Sequence, residues 1–438
     1  IKTLNFDSWK DEPKYEFIKQ QIQEKYNASK MIIDAGVQVS GLNEMMVETS
    51  KNELSALTSD LSSKKTNADE IDSGKFYGID KDKIMSSTTA NIDTNDLYKN
   101  SLWAADVTIP SKYTVRKIKF NNNWTLKSNS YFVGDLAGND KKYVFSFKNY
   151  SSERLYLYFF YKVQREPNNG NKFDYQIKVN NQPIDASQNK LSETEISSYA
   201  NVQKIYLAKI ELSNLTYGDN NVEIIKDKSS GTYKNIQFGG ISLLRDPGIN
   251  NENEQKLIYK INGQTQVDDG KIKVNLFEAV GASTNLASHF ENIGTQEQPI
   301  NVLKSIGFFG DSSQDNNNNY KATYYLGLYV PETGEYKLGA DYNSDEESTF
   351  EVGYFVKSLD MKNEANNATK LASNNNNNND GKVVINETLK TDNNNKIKTI
   401  DVTTSKIKLN LTKGWNNILL ANKDMKSPNI QNIYLMKV

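Results

Sequence analysis

One short pattern occurs twice in this chain and constrains its fold more than any other feature. Leu-Thr-x-Gly-x-Asn-Asn, followed by Val or Ile, begins at Leu215 and again at Leu411. The two copies are roughly 200 residues apart, which is about the size of a domain. An Asn-Ile-Gln triplet follows each copy, at 235–237 and at 429–431. A pattern that recurs at this spacing predicts two structural units that share a turn.

The residue after the glycine differs between the copies, being Asp219 in the first and Trp415 in the second. A sugar-stacking platform common to both units would keep an aromatic ring at both positions. We therefore interpret the pattern as a structural turn and Trp415 as a local variation on it. The alternative is that Trp415 contacts a ligand at a site that only the second unit has.

Further landmarks occur in the same order in both halves of the chain. A Gly-Asp pair preceded by Phe ends at Asp135 and at Asp311. An alternating strand, a polar turn and a second alternating strand then begin at Phe145 in one half and at Leu326 in the other. Short strands separated by Asn, Gly, Asp and Pro turns are typical of β-sandwiches. The chain is predicted to contain two tandem, mainly antiparallel β-sandwich modules.

A helical region precedes the β pattern. Apolar residues recur at helical spacing from residue 11 to about 63, and Gly36 and Gly41 interrupt them, so we predict a helical hairpin or short bundle. A helix lying on a membrane surface is the alternative. The predicted divisions are 1–75 for the helices, 76–248 for the first module and 249–438 for the second, and the boundary between the modules falls in the Pro-, Gly- and Asn-rich stretch near 245–256. Few contacts are predicted across the first boundary, so a chain that starts near Phe76 is expected to fold.

Composition excludes several classes of protein. The chain has 53 Lys and Arg against 54 Asp and Glu, which argues against a nucleic-acid partner. With no Cys and a single His, it has no disulfides, thiolate metal sites or Cys nucleophiles, and it lacks the ligands of a zinc site. The carboxylates at 343–348 lack the spacing of a calcium loop. We predict no cofactor and no metal, and no run of residues is apolar enough to cross a membrane.

Two parts of the sequence resemble known protein families. The stretch YVPETGEYKLGADY (329–342), with 414–418 and 428–430, resembles galactose-binding-like carbohydrate modules. That resemblance implies a jelly-roll fold more than a binding site, because its residues form turns. The stretches LYLYFFYKV (155–163), LAKIELSNLTYGDNNVEI (207–224) and YKNIQFGGISLL (233–244) resemble the variable lipoprotein haemagglutinins of mycoplasmas.

The second resemblance implies a surface adhesin that varies antigenically and binds host-cell glycans, sialylated glycans among them. It implies a lipid-anchored, extracellular protein whose only contact with the membrane is its anchor. The lipid-bearing Cys of that family is absent from this sequence, so the anchor is expected outside it. The family supplies no catalytic motif to place on this chain.

Candidate ligand contacts are aromatic residues beside polar ones, because sugars are bound by an aromatic face together with amides and carboxylates. Trp124 follows Asn122 and Asn123 directly, and Trp103 and Trp415 are the other candidates. Core or edge packing is the alternative for each ring. We predict a non-catalytic adhesin. A surface glycosidase or an accessory carbohydrate-binding protein is the main alternative, and an antigenic shield without a specific ligand is another.

Overall fold

The computed structural model describes residues 8–35, 43–77, 84–85, 113–121, 123–133, 142–163, 175–184, 191–199, 203–226, 236–246, 252–267, 270–283, 289–304, 307–309, 320–322, 324–354, 382–391, 397–421 and 428–438. Its helices are α1 (Glu16–Ala35), α2 (Glu44–Thr58), α3 (Leu61–Asp72) and α4 (Glu252–Ile261). Helices followed by mostly antiparallel sheets confirm the predicted α+β organisation. None of the described helices has both the length and the apolar sequence that a membrane crossing requires.

The described strands fall into two halves on either side of α4. In the first β half, β1 to β12 are Lys75–Phe76, Ile84–Met85, Tyr113–Phe120, Asn123–Val133, Lys142–Asn149, Leu155–Val163, Tyr175–Val179, Gln182–Ile184, Leu191–Tyr199, Gln203–Leu212, Gly218–Lys226 and Ile236–Arg245. In the second β half, β13 to β27 are Gln264–Gln266, Ile272–Asn275, Gly281–Ser283, His289–Asn292, Asn301–Lys304, Gly307–Phe309, Tyr320–Ala322, Tyr324–Val330, Gly334–Asn343, Ser348–Tyr354, Lys382–Leu389, Lys398–Ile400, Lys408–Leu411, Gly414–Ala421 and Asn429–Lys437.

Each half contains a five-stranded sheet, and the two sheets correspond strand by strand. Their orders are β2-β5-β11-β7-β8 and β15-β20-β26-β22-β23. The central pairs also agree in register. Val222 lies opposite Phe145 in the first sheet, and Ile418 lies opposite Leu326 in the second. These four residues occupy the positions that the repeated sequence landmarks match.

A larger sheet covers both of these sheets. It contains 15 strands and runs β13-β14-β27-β17-β16-β3-β4-β12-β6-β10-β9, with β1, β21, β24 and β25 paired at its sides. The parallel pair of β3 and β16 joins the two halves. In each half, alternate side chains of the large sheet and of the five-stranded sheet close over an apolar core, as Leu157 and Phe145 do in the first half and Leu338 and Leu326 do in the second.

The repeated sequence forms the same turn in both halves, as predicted. Gly218 and Gly414 have φ of 92° and 95°, a left-handed conformation that favours glycine. Two residues later, Asn220 and Asn416 are buried. The Asn416 amide nitrogen donates to the carbonyls of Thr412 at 2.8 Å and of Gly414 at 3.0 Å, and its oxygen accepts from the Thr412 N–H at 3.0 Å.

Asn220 makes the corresponding three hydrogen bonds, at 2.7 Å, 2.9 Å and 2.8 Å. Each asparagine side chain therefore supplies hydrogen-bond partners for backbone N–H and C=O groups that the turn would otherwise leave unpaired.

Two other sequence matches are not structurally equivalent. The Ile-Gln pair of each Asn-Ile-Gln triplet lies in the last strand of its half, but Ile236 lies opposite Val163, whereas Ile430 lies opposite Tyr342. Leu338 of β21 matches Leu157 of β6, so the residue that matches Val163 is Ser344. If the triplets were equivalent, Ile430 would lie opposite Ser344. It lies opposite Tyr342 instead, so the triplets are out of register by two positions. Phe132 and Phe308, which precede Asp135 and Asp311, are the penultimate residues of β4 and β18. These strands pair with different partners, and the two aspartates lie outside the described residues.

A third apolar cluster joins the halves, and we call it the junction. It contains Tyr158, Phe160, Ile205 and Leu207 from the outer face of β6 and β10, Leu257, Ile258 and Ile261 from α4, and Leu244, Val280 and Trp415. Residues 245–256 were predicted to hold the boundary between the modules, and from Glu252 onward they form α4. The helix forms because its acidic first turn suits a helix N-terminus and its apolar residues pack into the junction.

The N-terminal helices pack against the first half through contacts at both ends. The Phe17 N–H donates to the Ser151 carbonyl at 3.0 Å, and α3 places Ile71, fully buried, in the first core. Asp72 accepts a hydrogen bond of 2.6 Å from Arg245 on β12. These contacts contradict the expectation of few contacts across this boundary, and they argue against the prediction that a chain starting near Phe76 would fold. The helical region also extends to Asp72, beyond the predicted limit near residue 63.

Candidate functional site

The predicted ligand residues do not come together into one described site. Trp103 and Asn122 lie outside the described residues. Asn123 and Trp124 begin β4, opposite Phe120 and Lys119 of β3. Asn121, which follows β3, has φ of 46°, a conformation that asparagine tolerates at hairpin turns. At least one asparagine before Trp124 therefore has a conformational role, and whether Trp124 binds a ligand stays a prediction.

The Trp415 side chain is buried in the junction and is 5% exposed. Its ring makes edge-on contacts with Phe160, at 6.4 Å between centroids, and with Tyr329, at 5.7 Å. The matching residue of the first half, Asp219, is exposed. The structure therefore favours the packing interpretation of Trp415, because the tryptophan covers the first half whereas Asp219 has no neighbouring half to cover.

The outer face of the second half carries a row of polar residues that crosses four strands. Asn275 of β14 lies opposite Asn432 of β27, which lies opposite Asp341 of β21, which lies opposite Thr399 of β24. Residues directly opposite in antiparallel strands project to the same side of the sheet. Tyr434 lies two positions beyond Asn432 on that side. We call these five residues the polar face.

Asp341 is the centre of the polar face. Its carboxylate accepts hydrogen bonds from the Thr399 hydroxyl at 2.7 Å, the Asn432 amide at 2.8 Å and the Tyr434 phenol at 2.7 Å. Asp341 and Asn432 are 8% and 4% exposed, whereas Tyr434 is half-buried and Thr399 is exposed. Burial, followed by the hydrogen bond to Asp341 and its charge, raises the pKa of Tyr434 well above the ordinary range of a phenol.

Neighbouring side chains extend this polar surface along the strands. The Asn429 amide donates to the Asn343 side-chain oxygen at 2.8 Å. The Lys273 ammonium lies 5.9 Å from the centre of the Tyr434 ring. Gly339, opposite Tyr434, has no room for a side chain, because a Cβ there would collide with the Ile400 carbonyl oxygen.

The corresponding face of the first half is apolar. Phe160 lies three residues after Leu157 on β6, just as Asp341 lies three after Leu338 on β21. Leu157 and Leu338 each pair with the last strand of their half. Phe160 lies opposite Leu207, and both are buried in the junction. The same arrangement of strands thus carries apolar residues at these positions in the first half and polar residues in the second, so the strand arrangement alone does not explain the polar face.

The polar face offers the chemistry of sugar recognition and less of that of sugar cleavage. Thr399 and Tyr434 are accessible members, with a hydroxyl and a ring that can hydrogen-bond and stack with a polyhydroxylated ligand, and both donate to the buried Asp341 carboxylate that orients them. Glycoside hydrolysis by the usual route needs two carboxylates, and these five residues include one.

A second group of polar side chains lies beside the junction and has a structural explanation. The Glu254 carboxylate on α4 accepts hydrogen bonds from Tyr158 at 2.6 Å and from Lys209 at 2.7 Å. Burial and the Glu254 charge raise the pKa of Tyr158 far above its ordinary value. These contacts hold α4 against β6 and β10, so they are already satisfied within the chain.

The acidic segment at 343–348 connects β21 to β22. Asp345, Glu346 and Glu347 are exposed, while Ser344 and Ser348 are buried and share a hydrogen bond of 2.8 Å. Within the described part of the chain, no three His, Asp or Glu side chains converge as ligands for a metal ion.

Sequence reasoning did not single out the polar face, although part of the signal was present. The core residues Tyr336, Leu338, Ala340 and Tyr342 alternate along β21, which assigns Asp341 to the opposite side. The other members lie on strands far away in sequence. Only the pairing of those strands brings them to Asp341.

No family model matches this chain, and no curated protein sequence matches it. Among solved structures, it is similar to a Paenibacillus xanthan lyase at 12% identity and a TM-score of 0.21, covering 75% of this chain and 25% of the lyase. An Arthrobacter globiformis isomalto-dextranase complexed with panose matches at 10% identity and a TM-score of 0.24, covering 75% and 35%.

The cycloalternan-forming enzyme of Listeria monocytogenes, in complex with a pentasaccharide substrate, matches at 9% identity and a TM-score of 0.23, covering 74% of this chain and 22% of the enzyme. The chain thus spans about a quarter to a third of these proteins. Likeness at this level is too low to transfer a fold or an activity to this chain.

Proposed function

We propose that this chain is a non-catalytic glycan-binding protein and that its ligand contacts the polar face of the second half. The observation that carries the proposal is the contrast between the halves. Where the first half has Phe160 and Leu207, packed in the junction, the second half has Asp341 and Thr399. A solvent-facing sheet needs polar residues, but it does not need a buried carboxylate that accepts three hydrogen bonds.

The two halves are, on this proposal, tandem modules of one β-sandwich type. The equal strand orders of the five-stranded sheets support it, as do the shared register of their central pairs and the matching asparagine turns. Each half is also preceded by a helix and a left-handed glycine, Gly74 after α3 and Gly263 after α4. The repeated unit therefore includes a helix, which places its start before residue 76.

The cellular role we propose is adhesion. The resemblance of 155–163, 207–224 and 233–244 to mycoplasma variable lipoprotein haemagglutinins supports an extracellular, lipid-anchored protein that binds host-cell glycans, including sialylated ones. Weak binding at one polar face would be strengthened by many copies on one membrane. A surface glycosidase is less favoured, because the polar face holds a single carboxylate.

A glycan array with the purified chain, followed by titration of the best ligand, tests the proposal. Tyr434→Ala removes the only ring of the polar face. Loss of one aromatic contact worth about 1 kcal/mol should weaken binding roughly fivefold. Trp124→Ala is the matched comparison, since it removes the ring that sequence analysis favours.

The outcomes separate the possibilities. Weaker binding by Tyr434→Ala, with Trp124→Ala unchanged, supports the polar face. The reverse result moves the site to the β3–β4 hairpin. Absence of any bound glycan on the array contradicts the proposed function itself, and release of a reducing sugar during incubation contradicts its non-catalytic character. Circular dichroism of each variant verifies that it is folded.

A further inference from the structure

Most of the exposed large apolar side chains in the described part of the chain gather at one end of the α1–α2 hairpin, which we call the tip. Met31 and Ile33 of α1 are 71% and 76% exposed, and Met45 of α2 is 73% exposed. Met46 and Val47 are exposed beside them. Apart from Tyr26 and the terminal Val438, these are all the exposed large apolar side chains of the described residues. Such a concentration indicates a contact surface.

The geometry of the hairpin brings these residues together. Ser29 and Ser50 share a hydrogen bond of 2.6 Å, and Lys25 forms an ion pair of 2.9 Å with Glu53. These contacts fix α1 antiparallel to α2. One helical turn beyond Ser29, Ile33 is therefore level with Met46.

The second helix packs against the rest of the described chain only through half-buried residues such as Leu57. None of the 15 residues of α2 is buried. An isolated helix of this length is marginal in water, and helices in proteins are stabilised mainly by packing an apolar face. A partner at the tip would supply that packing.

The charges at the tip favour a second copy of this chain over a membrane. Between Lys30 and Lys51 there are two Lys and three acidic residues, so the tip does not carry the basic charge that anionic lipids attract. Lys30 and Asp34 flank Met31 to Ile33 and form an ion pair within the helix, with side chains that are 52% and 59% exposed. Lys30, Ile33 and Asp34 share one face of the helix by their spacing.

We propose that two copies of the chain associate through their tips, with α1 packing antiparallel to α1 of the other copy about the level of Ile32. In a two-fold contact, residue i of one copy meets residue j of the other and the reverse. A crossing centred on Ile32 places Lys30 of each copy beside Asp34 of the other and buries Ile33 between them. The pairing is self-complementary in both charge and apolar character.

Sedimentation of the full chain and of two charge-reversal variants tests this arrangement. Lys30→Asp makes both positions acidic, and Asp34→Lys makes both basic, so each variant should self-associate roughly tenfold more weakly than the parent. An equimolar mixture of the two should regain association, because every cross-copy pair is then opposite in charge. Mixing does not change the repulsion between positions 30 and 34 within each variant's own helix. Regained association in the mixture can therefore come only from contacts between copies.

Three results would overturn the proposal. The parent chain could remain monomeric at every concentration examined. The mixture could associate no better than its components, which would place the contact elsewhere. The chain could float with phosphatidylcholine vesicles while remaining monomeric, which would assign the tip to a lipid surface. Circular dichroism of each variant, compared with the parent, shows whether α1 is intact.

Discussion

Replacing Trp415 by alanine is expected to loosen the contact between the two β halves. The indole is 5% exposed and packs edge-on against Phe160 of the first half and Tyr329 of the second. It belongs to a cluster that also contains Leu257 and Ile258 of α4. The substitution removes both ring contacts and leaves a cavity where the halves meet.

The expected loss can be estimated from these contacts. Truncation of a buried Trp to Ala costs about 3–5 kcal/mol, the sum of lost transfer free energy and an unfilled cavity. Each edge-on aromatic contact contributes about 0.5–1.5 kcal/mol of this. Since a typical folded protein has a free energy of unfolding of only about 5–15 kcal/mol, the change should be readily measurable.

Guanidinium unfolding followed by far-ultraviolet circular dichroism is the assay, because it does not depend on tryptophan emission. Asp219→Ala is the control, since Asp219 occupies the matching turn position of the first half and is exposed, so its replacement should change the free energy of unfolding by less than about 0.5 kcal/mol. If Trp415→Ala unfolds at the same denaturant concentration as the parent but no longer binds glycan, Trp415 is a ligand contact and the packing argument is refuted.

Three further predictions use the same methods. Asn416→Asp removes an amide that donates to two backbone carbonyls and should lower the free energy of unfolding by about 2–4 kcal/mol, which denaturant titration would measure and a change within error would contradict. A chain starting at Phe76 lacks Ile71 and should lose the cooperative thermal transition, whereas one starting at Asp60 keeps α3 and should retain it. If the two truncated chains melt alike, α3 does not stabilise the first core. Burial raises the pKa of Tyr259 to about 12, so its neutral form stabilises the fold below pH 10, and this stabilisation is lost as the pH rises from 10 towards 12. The variant Tyr259→Phe cannot ionise there and should lose less stability over that interval. Denaturation measured at several pH values would test this.

The features predicted correctly from the sequence depend on residues close together in the chain. The turn at Gly414 is one example, because the hydrogen bonds of Asn416 reach only two and four residues back. The alternation along β21 is another, since it assigns Leu338 and Ala340 to the core without reference to other strands. Local backbone chemistry and strand periodicity decide both features.

The features that were missed depend on partners distant in sequence. The helix α4 follows a Pro-, Gly- and Asn-rich stretch, and its apolar residue Leu257 is buried only because Tyr158 and Phe160, nearly 100 residues earlier, lie across the junction from it. The polar face needs β14, β27, β21 and β24 to be neighbours in one sheet. No periodicity within one strand reveals that order.

A comparison of one position in the two halves connects the fold to the proposed function. The outer face of β6 presents Phe160 to α4 and Trp415, and this apolar contact holds the second half against the first. A third unit could not bind β21 in the same way, because Asp341 stands in place of Phe160 and its carboxylate already accepts three hydrogen bonds. An apolar helix over this face would remove the remaining contact of that carboxylate with water and would supply no opposite charge in its place. If the halves are copies of one module, the face that serves as a joint in the first is therefore unsuited to that role in the second, which supports the proposal that this face binds a ligand instead.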